Sequence, residues 1–403
     1  MIRVGTCSWT DESLIKSGDF YPKGVTSAEA RLRFYALHFS CAEVDSSYYA
    51  LPSAANAALW AQRTPDAFRF NVKAYRAMTG HQVPIRSLPK DLQGEVDAKG
   101  RQTVAAKDLP PSVMDAIWSR FLRALEPLRE AGKLTALHFQ LAPWIHATPK
   151  GYELLEEVRS RAGDHLVSVE FRHESWFDTQ RREAVLKFLA DRRFVNTTVD
   201  EPQGPSNSIP QIWTVTNPRL AILRLHGRNL AKWNIKDAAA ASDRFDYDYP
   251  DFELETFVRP LHELESEADE VHVLFNNNNG SQAQRNAATL SSMLGQPVSW
   301  SPPRSLFQLS QEHMTYVPTA EGVRRYPESA GFVLVDALDD AAEPAPCTCA
   351  PSCHARCAGE CGCTGCGLAF THFLDEAGLL SDREDRAGEA AGLALFRQHL
   401  DPA

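Results

Sequence analysis

Leu166-Val167-Ser168-Val169-Glu170-Phe171-Arg172-His173 is the stretch on which the reading of this chain turns. Leu166–Phe171 is a short, mostly apolar run of strand length. Charge arrives at its end, and Glu170 and Arg172, two apart, share one face of a strand. The same design recurs in Ile2–Gly5, Ala42–Val44, Phe68–Val72, Leu134–Gln140, Phe194–Val199, Ala221–Leu225 and Glu270–Phe275. Amphipathic stretches lie between: Ser27–Phe39, Ser53–Gln62, Ser112–Ala131, Pro149–Ala162, Gln180–Arg192, Phe252–Glu267 and Ser281–Leu294. Between the sixth and seventh strands, Glu201–Asn217 reads mainly as loop. Strands alternating with helices predict an α/β fold with a parallel sheet, and about eight such units close a (β/α)8 TIM-type barrel.

An open, doubly wound sheet is the competing architecture. It is disfavoured because Gly5-Thr6-Cys7-Ser8-Trp9 after the first strand is not a G-x-G-x-x-G phosphate fingerprint. The barrel is expected over residues 1–310, a connecting segment and linker over 311–346, and a small Cys-rich, partly helical extension over 347–403. Thr79–Pro111 interrupts the rhythm and reads as an insertion after the third strand. Thr315–Asp340 offers one strand-like run, Gly331–Val335, and Leu368–Leu400 reads as helical.

Of 403 residues, 43% are hydrophobic and 23% charged, enough for one large core. No apolar run approaches the roughly 20 residues of a membrane helix, and no secretory leader precedes the first strand, so a reducing cytoplasm is expected. The net charge of −10 disfavours long nucleic-acid duplexes and anionic membranes as partners, without excluding a local basic pocket.

The strand ends carry the candidate chemistry, because (β/α)8 enzymes react at the C-terminal ends of their strands. Glu43, Asp45, Glu170 and Asp200 supply carboxylates, and His226 a group expected to titrate near neutral pH. Lys73, Arg172, Arg224 and Arg228 could grip an anion, with Trp9, His81, Gln140, Asn276 and Asn277 completing the lining. Each has a plainer reading. Glu170, Arg172, Arg224 and Glu43 could form a buried structural network, His226 a core histidine, Arg228 a solvated rim charge, and Trp9 and Trp176 packing residues.

The segments Ala42-Glu43-Val44-Asp45-Ser46-Ser47-Tyr48-Tyr49, Phe70-Asn71-Val72-Lys73, Glu170-Phe171-Arg172-His173-Glu174-Ser175-Trp176, Leu223-Arg224-Leu225-His226-Gly227-Arg228 and Phe275-Asn276-Asn277 carry a resemblance. Together with Gly5–Trp9 and Phe139-Gln140-Leu141 they resemble the DUF72, or YecE-like, family over roughly Met1 to Leu294. The resemblance implies a TIM-type barrel and no particular activity. Asp45 stands where that family usually has Asn, which adds a carboxylate at the mouth.

Seven of the nine cysteines crowd into Cys347, Cys349, Cys353, Cys357, Cys361, Cys363 and Cys366, with His354 among them. Such local crowding reads as metal ligation rather than a disulfide framework: zinc, or an iron–sulfur cluster as the alternative. Two functions follow as expectations. One is an enzyme performing acid–base or metal-assisted hydrolysis or rearrangement of an anionic, phosphorylated or nucleotide-like substrate, with a divalent ion at the mouth held by Glu43, Glu170, Asp200 and His226 as one option. The other is a non-catalytic module binding nucleic acid ends or phosphorylated ligands, its zinc-stabilised tail docking a protein partner or acting as a sensor.

Overall fold

Eight parallel strands close on themselves in the order β1-β8-β7-β6-β5-β4-β3-β2. They are β1 (Ile2–Thr6), β2 (Cys41–Val44), β3 (Arg69–Lys73), β4 (Leu134–Gln140), β5 (Val167–Glu170), β6 (Phe194–Asp200), β7 (Leu220–Leu225) and β8 (Glu270–Phe275). The computed structural model describes residues 1–234, 244–297 and 300, with the backbone of Met314–Thr319 and Gly322–Pro327. The (β/α)8 barrel expected from the sequence is therefore the fold.

Strand alternation builds two layers. Val44, Val72, Phe139, Val169 and Leu225 face the helices and join the main core. Cys7, Cys41, Ala136, Val195, Ile222 and Leu274 form a second, smaller apolar cluster inside the ring. The helices that cover the ring are α1 (Ala28–His38), α2 (Ala54–Gln62), α3 (Pro111–Glu130), α4 (Pro149–Ala162), α5 (Arg182–Asp191), α6 (Asp251–Glu267) and α7 (Gln282–Met293). Ser27 and Ser53 cap α1 and α2 by accepting the backbone N–H of Ala30 and Asn56.

No helix follows β6, in line with the loop expected there. The loop packs instead: Ile209 and Ile212 are buried, and the carbonyl of Ile212 accepts from Asn196 Nδ2 at 3.0 Å and Thr198 Oγ1 at 2.7 Å. The insertion after β3 carries its own small antiparallel pair, Gln82–Pro84 with Thr103–Ala105.

The chain divides into two compact units, Met1–Pro302 and Pro303–Ala403. Within the second, Met314–Thr319 pairs antiparallel with Gly322–Pro327. The sequence reading missed this hairpin because Pro318 and Pro327 interrupt both runs, and only a ladder with open edges tolerates them. Gly331–Val335, the cysteine cluster and the helix expected at Leu368–Leu400 lie outside the described residues. Among the described residues no helix is long and apolar enough to cross a membrane.

Candidate functional site at the barrel mouth

Arg224 is the hub of the interior. It is fully buried, and its Nη2 donates to Glu43 Oε1 at 2.7 Å while its Nη1 donates to Glu170 Oε2 at 2.5 Å. Gln140 Oε1 lies 3.3 Å from Nη1 and Cys7 Sγ 3.4 Å from Nη2. Strands β2 and β7 are not neighbours in the ring, so the Glu43 contact crosses the barrel axis. Burial works to raise the Glu170 carboxyl, but Arg224, His226 and His138 outweigh it and hold Glu170 well below the usual carboxylate range. Burial is offset at Arg224 as well: the Glu170 and Glu43 carboxylates keep its guanidinium charged.

The next layer outward holds His226, Asn276, Arg172 and Glu201. His226 Nε2 lies 3.1 Å from Glu170 Oε1 and its Nδ1 2.9 Å from Asn276 Nδ2. The Asn276 amide donates to Nδ1, which leaves the Nε2 proton to donate to Glu170. Burial first, then Arg224 and Arg172, push the imidazole down to about 3, with Glu170 only partly offsetting them. His226 is thus a neutral hydrogen-bond donor, which corrects the expectation that it titrates near neutrality.

Arg172 Nη1 lies 3.1 Å from Glu170 Oε1 and 3.1 Å from Glu201 Oε2, and its guanidinium sits 4.8 Å over the Trp233 ring. Glu201 Oε1 accepts from the N–H of Ile209 at 2.8 Å. Burial raises the Glu201 carboxyl to about 7, against Arg172 and with Glu170 and Asp200 adding to the rise. It is the carboxyl of this interior that exchanges a proton near neutral pH, and the sequence reading passed it over.

The rim is cationic and aromatic. Lys73 Nζ donates to Asp45 Oδ1 at 2.6 Å and sits 5.1 Å from the Tyr48 ring. Arg76 lies 4.6 Å over the same ring, and His81 packs edge-on to Tyr48 at 5.2 Å and to Trp144 at 5.7 Å. Burial, with Lys73, Arg76 and Arg172 behind it, lowers His81 to about 3.

Four expected site residues stand elsewhere. Asp200 is level with Leu225, which faces the helices, so its side chain points out of the ring. There it takes Arg228 (Nε to Oδ2 3.0 Å), Gln211 and the hydroxyl of Tyr249 at 2.6 Å. Arg228 also pairs with Glu253 at 3.2 Å, so it braces α6 and does not line the mouth. Asn277 is buried and donates to the carbonyl of Tyr247 and to Asn286 Oδ1. Trp9 packs in the core against Tyr35, Trp60 and Phe70. With Asp200 outside and Arg224 occupying Glu43 and Glu170, the divalent-ion set read from the sequence does not assemble. Among the described residues no three His, Cys, Asp or Glu side chains group as metal ligands.

Glu201 makes a pH prediction. Its folded pKa lies above its unfolded value, so between about 4.5 and about 7 the folded state keeps a proton that the unfolded chain has lost. Stability therefore falls as pH rises through that window, by up to about 3 kcal/mol. Glu201→Gln should remove this loss and be the more stable protein at pH 8, as read by denaturant unfolding at pH 5 and 8. A variant that declines as steeply as the parent would refute the assignment.

A family model described as "Protein of unknown function DUF72" matches residues 3–306. The chain is 31% identical over 308 residues to the UPF0759 protein YunF of Bacillus subtilis, covering 76% of this chain and 99% of that one. It is 34% identical over 199 residues to the UPF0759 protein YecE of Escherichia coli K12, covering 49% of this chain and 58% of the other. Among solved structures, a DUF72 family protein from Enterococcus faecalis superposes with a TM-score of 0.61 at 28% identity, over 76% of this chain and all (100%) of that one. A second, from Thermotoga maritima, gives 0.58 at 28% identity, over 73% and 100%.

Proposed function

The chain belongs to the DUF72 family, proteins of unknown function, and from the chemistry at its barrel mouth we propose that it binds an anionic, phosphorylated or nucleotide-like substrate there and hydrolyses or rearranges it by acid–base chemistry. The observation that carries the reading is the gathering of Lys73, Arg76 and Arg172 around His81 on one rim, with Arg172 paired to a buried carboxyl, Glu201, that is raised to about 7. Three cations with fork or point-charge geometry suit a phosphate group. A carboxyl near 7 suits proton transfer at cellular pH. In the hydrolytic form, Glu201 takes the proton of an attacking water, the water oxygen bonds to phosphorus, the ester P–O bond breaks, and the leaving oxygen is protonated from solvent. Glu43, Glu170, Arg224 and His226 hold one another and keep Arg172 in place; they are positioning residues.

A depletion screen of pooled phosphorylated metabolites, followed by mass spectrometry, tests this. The parent should consume at least one phosphoester, and Glu201→Gln should slow that consumption about a hundredfold or more, the usual scale of general acid–base catalysis. Salt-dependent binding without consumption would overturn the enzyme reading and leave the mouth as a binding module.

For the tail we infer zinc on Cys347–Cys366 and His354, which number enough soft ligands for about two tetrahedral ions. A reducing cytoplasm goes with this, and so do the unpaired thiols of Cys7 and Cys41. Elemental analysis of the full chain should give zinc that is lost when the seven cysteines are changed to serine. Iron with visible absorption would favour a cluster instead, and no metal at all would refute the assignment.

A further inference from the structure

The opposite end of the barrel holds a second concentration of positive charge that the mouth chemistry does not use. A hollow of about 420 Å³ opens among the segments that lead into β5, β6 and β7. Arg159, Arg193 and Arg219 line it. A neighbouring hollow of about 490 Å³ shares Arg219 and residues 163–166 with it, and has an apolar wall that includes the half-buried Leu122 and Leu134.

The arginines of the first hollow are poorly neutralised. Arg192 pairs with Glu156, but Arg159 gives its hydrogen bonds to the carbonyls of Gly163 and His165. Arg193 and Arg219 have no carboxylate partner among the described residues. Asp164 is the one acid lining this hollow. Burial lowers the Arg159 guanidinium, Asp164 opposes that, and Arg193 adds to it. In a chain of net charge −10 this grouping is local, not a reflection of composition. Arg193 also holds a left-handed backbone, φ 56°, one position past the C-cap of α5, where glycine is the usual residue.

We propose that these joined hollows form a second ligand site, separate from the mouth, that takes a nucleotide-sized organic phosphate. Its phosphate would lie against Arg159, Arg193 and Arg219, whose forks match phosphate oxygens. Its organic part would cover the apolar wall at Leu122 and Leu134. Because (β/α)8 chemistry belongs to the C-terminal face, occupancy at this end does not require turnover.

Calorimetric titration of the full chain with ADP and, separately, with inorganic pyrophosphate tests the site. ADP should bind, and more tightly than pyrophosphate. Arg193→Gly combined with Arg219→Ala should weaken ADP by about tenfold or more, the scale of losing charge-assisted hydrogen bonds. Glycine suits the backbone at 193 and Arg219 is exposed, so an unchanged melting temperature accompanies that loss. Arg259→Ala, which removes an exposed arginine on α6 that lines neither hollow, should leave ADP affinity as it was. The proposal is overturned if ADP fails to bind, if the double variant binds it like the parent, or if Arg259→Ala weakens binding as much as the double variant does. Pyrophosphate binding as tightly as ADP overturns the organic part of the assignment.

Discussion

Arg224→Met is expected to lose about 3–5 kcal/mol of stability, the largest loss of any single change in this barrel, because it strands two buried carboxylates. Glu43 and Glu170 are both fully buried and both take their strongest hydrogen bond from Arg224. Methionine nearly fills the space but supplies no donor. The penalty lies in the uncompensated charges, so removing those charges should reverse it. A triple variant, Arg224→Met with Glu43→Leu and Glu170→Met, should regain most of the lost stability, since a whole buried ion network exchanged for apolar side chains is often neutral or stabilising. Urea unfolding of the parent, single and triple variants reads both effects. A single variant as stable as the parent would mean that the carboxylates are protonated or hydrated, and that the interior is not the ion-paired core described above.

Gly5→Ala should be the next most damaging change. An alanine Cβ at this position would sit 2.0 Å from the carbonyl oxygen of Cys41 and 2.8 Å from its carbon. Gly5 faces Cys41 in the β1–β2 register, and the junction has just one other registered pair, Thr6 with Ala42. The obstacle is backbone, so no side-chain rotation relieves it. The junction that closes the ring must open, at a cost of about 3 kcal/mol or more. For a domain of this size that corresponds to a fall in melting temperature of roughly 5 °C. A fall within about 1 °C would show that β1 and β2 are not held as close as described.

These predictions rest on features of unequal legibility in the sequence. The ring was readable because each strand is a short apolar run closed by polar residues, and most of the helices between them are amphipathic. The convergence of Glu43, Glu170, Arg172, Arg224, Gln140 and Asn276 was readable from strand-end position and alternation. Asp200 was misplaced because a strand end alone does not reveal which face a residue takes. Its level with Leu225 decides that, and the register comes only with the closed ring. The same parity turns Glu201 inward, one residue beyond the strand, in a segment that reads as loop. The depressed pKa of His226 was not readable at all. It depends on burial, to which Trp233 and Phe245 contribute rings 6.2 Å and 5.8 Å from the imidazole, and on the Arg172 guanidinium arriving from the end of another strand beside Arg224.

We propose that the upper rim of the barrel holds a phosphate-like anion among Lys73, Arg76 and Arg172. Crystals of the full chain soaked in tungstate, a heavy tetrahedral dianion, test it most directly through anomalous scattering. The expected result is a peak within hydrogen-bonding distance of Lys73 and Arg172, with Arg76 turned toward it. Well-diffracting soaked crystals with tungstate bound elsewhere and none at that rim would contradict it.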